Sequence, residues 1–132
     1  MKEHYLMRIT LAFDGGSHDG TGSGFGSYAI VKGAKRTVTR IEFGGGMTSH
    51  EAGYDTLIMG LKTLIRQERP AEVALEIQTA NQFIVNQVNG RTDQLDARMQ
   101  NRRDQVASLL QQFASYNMIR VSPDRSAQML TA

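Results

Sequence analysis

Three short segments hold the residues that could do chemistry. They are Phe13-Asp14-Gly15-Gly16-Ser17, then Thr48-Ser49-His50-Glu51-Ala52-Gly53-Tyr54, then Glu76-Ile77-Gln78-Thr79-Ala80-Asn81-Gln82 running on to Asn86-Gln87-Val88-Asn89-Gly90. The first two each place an acid, Asp14 and Glu51, where the local pattern directs it at a core or cleft. The third has the same look but no acid at its Ala80-Asn81-Gln82 step. Carboxylates on neighbouring elements suit divalent cations and metal-dependent hydrolysis. The missing acid separates a metal-dependent enzyme from a chain that keeps only the shape of one.

The elements that must position these residues follow from periodicity. Residues 6–13 read as a strand, with Ile9, Leu11 and Phe13 on one face and Thr10 and Ala12 on the other. Both faces are mostly apolar, as in a central strand. Asp14 sits at its C-terminal end, on the Thr10/Ala12 face. Gly15 to Gly26 holds six glycines and reads as a flexible turn. Phe25–Val31 and Arg36–Phe43 are two more strands, joined by the hairpin-sized Lys32-Gly33-Ala34-Lys35. A helix runs from about Ser49 to Arg66, with Tyr54, Leu57, Ile58, Leu61 and Ile65 as its apolar stripe. Glu51 lies about 60° from Tyr54 on this helix, along the edge of the stripe, so it is expected to project toward the sheet. Taken singly, Glu51 is also an ordinary first-turn acid favoured by the helix dipole, and Asp14 an ordinary turn opener.

Pro70 breaks the pattern, and Val73–Ile77 reads as a short strand. Asn81–Val88 is a short helix stopped by Gly90. Residues 93–115 read as one long helix with Leu95, Met99, Val106, Leu109, Leu110 and Phe113 as its stripe. Met118–Val121 is a last strand, and Pro123-Asp124-Arg125-Ser126 opens a final helical turn. The order is βββαβααβ plus that turn. It predicts an α/β or α+β architecture, a mixed sheet with helices on its faces. A chain of 132 residues builds one domain, here residues 1–132.

Composition narrows the function classes. There is no cysteine, so disulfides and thiolate metal sites are excluded. His4, His18 and His50 have no metal-ligand spacing. No apolar run approaches the ~20 residues of a membrane span, and the N-terminus lacks the apolar core of a signal peptide. A cytoplasmic location with no membrane partner is the expectation. The net charge of +2 is mildly basic, and eleven of the fifteen basic residues are arginine, the better geometric match to phosphate.

Taken together, Phe-Asp-Gly-Gly-Ser, Thr-Ser-His-Glu-Ala-Gly-Tyr followed by Leu57-Ile58-Met59-Gly60-Leu61, and Asn86-Gln87-Val88-Asn89-Gly90-Arg91 resemble the ribonuclease H domain family. The chain looks closest to its bacterial and archaeal type 1, reverse-transcriptase-like branch, over nearly its whole length. The resemblance implies a five-stranded mixed sheet with flanking helices and hydrolysis of the RNA strand of an RNA–DNA hybrid. In that family four carboxylates hold two magnesium ions. Carried over, Asp14 matches the first acid and Glu51 the second, so both are implied as catalytic and metal-binding residues. Ala80 replaces the third, and Gln128, in Ala127-Gln128-Met129-Leu130, replaces the fourth; a gap-free alignment from Pro123 puts Thr131 there instead. Asp124 is the only carboxylate nearby and reads as a helix cap.

Two divalent ions ~3.5–4 Å apart carry more charge than two carboxylates neutralise. The expected outcome is impaired catalysis, with at most weak Mg2+ or Mn2+ binding at Asp14 and Glu51. Nucleic-acid contacts survive as polar groups: Ser17, Ser49, His50, Asn81, Gln82 and Arg91. Such groups suit the sugar and 2′-hydroxyl contacts of A-like duplexes. Arg102 falls inside the apolar stripe of Leu95, Met99 and Val106. Its stem is expected along the core edge with its head in water, a homodimer contact being the next choice. Three functions compete: a non-cleaving nucleic-acid-binding domain, a weakly active hybrid ribonuclease, and a scaffold or oligomerisation module.

Overall fold

The structure, a computed structural model, describes residues 5–18, 22–91 and 95–131. Five strands form one sheet: β1 (Met7–Ser17), β2 (Gly24–Lys32), β3 (Lys35–Glu42), β4 (Val73–Thr79) and β5 (Ser115–Arg120), in the order β3-β2-β1-β4-β5. The first three are antiparallel, while β4 and β5 run parallel to β1. The parallel pairings need crossovers, supplied by α1 (Ser49–Gln67), α2 (Gln82–Val88) and α3 (Ala97–Leu110). A last helix, α4 (Pro123–Leu130), packs on β1 and β2. The mixed five-stranded sheet with helices matches the expected architecture. Among the described residues no helix is long and apolar enough to cross a membrane.

The largest departure from the sequence reading is the glycine-rich segment. Gly15, Gly16 and Ser17 continue β1, paired with Gly26, Phe25 and Gly24 of β2. These glycines serve close approach. A Cβ on Gly15 would lie 2.5 Å from the backbone nitrogen of Gly53, and one on Gly26 would lie 1.8 Å from Thr56 Oγ1. The first two turns of α1 therefore rest directly on the strand backbones. Residues 19–21 of the supposed turn lie outside the described residues. Gly33 does serve a tight turn: at φ +58 it joins β2 to β3 through a two-residue hairpin loop.

The core lies between the sheet and α1, α2 and α3. Ile9, Leu11 and Phe13 of β1, Leu75 and Ile77 of β4, and Tyr54, Leu57, Leu61 and Leu64 of α1 are all buried. Leu64 is buried fully where the stripe named Ile65, which is packed only partly against the core. α3 is shorter than the expected 93–115. It starts at Ala97, capped by the Asp96 side chain on the Met99 N–H, and stops at Leu110. Residues 93 and 94 of that range lie outside the described residues. Phe113 reaches the core from a turn, and the Ala114 N–H then bonds Pro70 and Val73 carbonyls as the chain enters β5. That is why β5 begins at Ser115, three residues before the expected start. α4 is two full turns, held at its end by the Arg36 guanidinium donating to the Gln128 and Met129 carbonyls.

The close packing of α1 gives a direct test. Gly15→Ala is expected to lower unfolding stability by about 2–3 kcal/mol through overpacking. Gly44→Ala, with nothing within 4 Å of the added carbon, is expected to stay within about 0.5 kcal/mol of the parent. Urea melts of the two variants check this.

Candidate functional site

Asp14, Ala80 and the start of α2 meet at one end of the sheet. The β1–β4 ladder ends at Ala12 opposite Gln78. Asp14 and Ala80 each stand two residues beyond that pair. The unbroken register of β1 with β2 from Thr10 to Ser17 preserves alternation. Phe13 and Gly15 therefore face α1, and Asp14 faces the opposite side of the sheet. Asp14 is half-buried, and among the described residues its carboxylate accepts only the Gly15 N–H, at 2.9 Å. Burial pushes its pKa up, only partly offset by that bond. Ala80 supplies no polar side chain at the neighbouring position.

Glu51 is buried as expected, at 4% exposure, but its carboxylate is turned toward α3. Thr48 caps α1 and Glu51 closes a capping box: Thr48 Oγ1 accepts the Glu51 N–H at 3.2 Å, and Glu51 Oε1 accepts the Thr48 N–H at 3.0 Å. Arg102 Nη1 lies 3.3 Å from Glu51 Oε2, and Arg98 Nη1 lies 3.7 Å from Oε1. Burial raises the Glu51 pKa, but the Thr48 hydrogen bonds and the charges of Arg102 and Arg98 outweigh it, leaving the pKa lowered. Arg102 also donates to Asp55, at 2.8 Å through Nε and 3.3 Å through Nη2. The Arg102 head is also paired, with Asp55 and Glu51. The guanidinium is held between α1 and α3, and its side chain is only 20% exposed. An arginine inside an apolar stripe is thus explained within one chain, which removes the motive for a second subunit.

The α1 position that faces the strand ends is Gly53. Its nitrogen abuts Gly15, and a Cβ there would lie 2.8 Å from Ile84 Cδ1 and 3.7 Å from Asn81 Nδ2. Glu51 is two residues earlier, about 200° around the helix. Counting from the end of β1 back onto α1 therefore meets a residue with no side chain. Among the described residues no hydrogen bond or ion pair joins Asp14 to Glu51 or to a shared partner. Among the described residues, no three His, Asp or Glu side chains come together as a metal-binding group. Among the described residues the acids do not present the converging set that a pair of magnesium ions needs.

The remaining sequence-selected residues fall into two groups. Near α2, Asn81 caps the helix: its Oδ1 accepts the Ile84 N–H at 3.1 Å, and its Nδ2 lies 3.2 Å from His50 Nδ1. Because Oδ1 is committed to that N–H, the Asn81 amide donates to His50, whose proton then sits on Nε2. Gln82 does not share the cap; it bonds the Asn86 side chain at 2.8 Å. Ser49 is exposed on the first turn of α1, where Thr48 takes the capping role. Away from this cluster, Ser17 donates to the Met47 carbonyl at 2.9 Å. Arg91 is exposed, its N–H closing the end of α2 on the Asn86 carbonyl beside Gly90, at φ +73. Gln128 is exposed on α4. Asp124 is a first-turn residue there, and the cap is Ser122, which accepts the Arg125 N–H at 3.1 Å.

Phe83 escaped the sequence reading. It is 41% exposed and stacks on His50, ring centroids 4.2 Å apart. The available signal was a phenylalanine one residue into a polar helix start, Asn81-Gln82-Phe83.

Residues 12–130 match the reverse transcriptase-like family. The chain belongs to that family. Its members' ribonuclease H fold is also what the solved structures share with it. The ribonuclease H1 of the halophilic archaeon Halobacterium salinarum superposes with a TM-score of 0.78 at 22% identity, covering 92% of this chain and 91% of that one. The N-terminal ribonuclease H domain of a Mycobacterium tuberculosis protein gives 0.82 at 20% identity, covering 91% of each. A compost-derived ribonuclease H1, solved in complex with an RNA/DNA hybrid, gives 0.76 at 16% identity, covering 92% and 90%. No curated protein sequence matches the chain.

The Glu51 network yields a stability prediction with a defined sign. Arg102→Ala leaves a buried carboxylate short of its cation and is expected to cost about 3 kcal/mol. Glu51→Gln is also destabilising near neutral pH. Because the folded pKa of Glu51 is lowered, its contribution is complete above the unfolded carboxylate pKa and is lost as pH falls through the folded value. Asp14, raised by burial, acts in the opposite sense. The stability gap between wild type and Glu51→Gln should therefore close on acidification, read from urea midpoints across pH.

Proposed function

We propose that this chain is a ribonuclease H-like nucleic-acid-binding domain whose hydrolytic centre is impaired. One observation carries the reading: the buried Glu51 carboxylate is held by Arg98 and Arg102 on the α3 side of α1, while Asp14 faces the other side of the sheet. Ala80 and Gly53 put no ligand between them. Among the described residues that geometry leaves the cleft one uncommitted acid where paired cations need several.

Loss of acids from a phosphate-facing surface lowers repulsion toward a polyanion. His50, Asn81 and Gln82 cluster around the start of α2, with the exposed Ser49 on the facing turn of α1. They are hydrogen-bonding groups suited to sugar and base edges. An RNA–DNA hybrid is the first ligand to try, since a structural relative was solved with one. The competing reading is slow magnesium- or manganese-dependent cleavage of the RNA strand. The half-buried, raised-pKa Asp14 favours it, because a carboxylate without a cation partner among the described residues is a natural place for one ion.

A labelled hybrid incubated with the protein and either metal separates the two. The expected result is binding that weakens steeply with salt and no cleavage above the metal-only control. Metal-dependent cleavage that disappears in Asp14→Asn would overturn the impaired reading. Absence of any salt-dependent binding would favour a scaffold role.

A further inference from the structure

The groove beside the His50–Phe83 stack has the chemistry of a base-binding platform. It lies between the first turn of α1, the start of α2 and the start of α3, and encloses about 560 Å³, within the range of small-ligand pockets. Its floor and walls combine three kinds of group. Phe83 offers an exposed aromatic surface, braced by the His50 ring at 4.2 Å. His50 is itself fixed by Asn81, so the Nε2–H is a positioned donor. The Arg98 side chain is 70% exposed at the rim, while Glu51 beneath it has its charge already offset by Arg102.

This combination fits a flat, apolar-faced ring with polar edges better than it fits a bare anion. Asp96 also lines the groove, and its carboxylate, committed to the Met99 N–H, disfavours a site that binds phosphate alone. A nucleobase stacks on an aromatic face and hydrogen-bonds through its edge. Only an unpaired base can present its face in this way, because in a duplex both faces are covered by neighbours. Arg98 would then meet the adjoining phosphate.

We propose that His50 and Phe83 form a stacking site for an unpaired nucleobase, so that the chain prefers single-stranded nucleic acid to a continuous hybrid at this groove. The proposal rests on the nucleic-acid reading above and narrows it to a strand type. The chain has no tryptophan, so Phe83→Trp places a unique fluorophore in the groove. A mixed-sequence 12-nucleotide RNA single strand should quench its emission saturably, and the same strand annealed to complementary DNA should not.

In parallel, Phe83→Ala should weaken single-strand binding roughly ten-fold, with hybrid binding unchanged and Phe83→Tyr behaving as wild type. Phe83 is already substantially exposed, and circular dichroism of each variant verifies the fold. An alanine variant that binds the single strand as tightly as wild type overturns the stacking site. So does an equal loss on single strand and hybrid. Wild-type protein that binds neither form overturns the nucleic-acid reading itself, a result distinguishable from the first two.

Discussion

The backbone of α1 rests on the backbone of β1 and β2, and most of the site's character depends on that contact. Glycines at 15 and 26 permit it, since a methyl group at either would fall within the radius of α1 atoms. The helix is thereby brought down so that Gly53 fills the place opposite the end of β1, and Tyr54, Leu57 and Leu61 go fully into the core. Tyr54 also donates a 2.6 Å hydrogen bond to Gln87, tying α2 to α1 through a buried polar contact. The strand ends, the cap of α2 and the first turn of α1 are therefore placed by packing rather than by any ligand.

Electrostatics then decides what this end of the fold can do. Glu51 is buried, and a buried carboxylate is tolerated only with partners. Its partners come from α3 and from its own helix cap, so its charge stabilises a helix–helix contact. Among the described residues Asp14 has no cation partner, and burial raises its pKa. An enzyme that clamps two cations needs its acids to converge. Among the described residues Glu51 is paired with arginines and Asp14 is not, and the side chains that gather at the start of α2 are His50, Asn81 and Phe83.

Much of the fold was readable from the chain because core periodicity alternates cleanly along Ile9, Leu11 and Phe13 and recurs at helical spacing from Tyr54 to Leu61. The glycine-rich segment was not, because the same glycines mean flexibility or close packing depending on helix residues 28 to 38 positions further along the chain. Helical angles placed Glu51 correctly at the edge of the apolar stripe. They could not say which neighbour lay beyond that edge, and it proved to be α3. The capping box was legible in Thr48-x-x-Glu51 and explains part of the burial. Arg102 is paired across 47 residues with Asp55, and His50 across 33 with Phe83. No local pattern encodes either contact.

With Glu51 committed to arginines, no cation site shared with Asp14 is expected. Titrating Mn2+ into 15N-labelled protein and following paramagnetic broadening of backbone amides tests it most directly. No saturable broadening that spans both Gly15 and the first turn of α1 is expected, at most a weak effect around Asp14 alone. Saturable broadening of both regions at the same manganese concentration would contradict it.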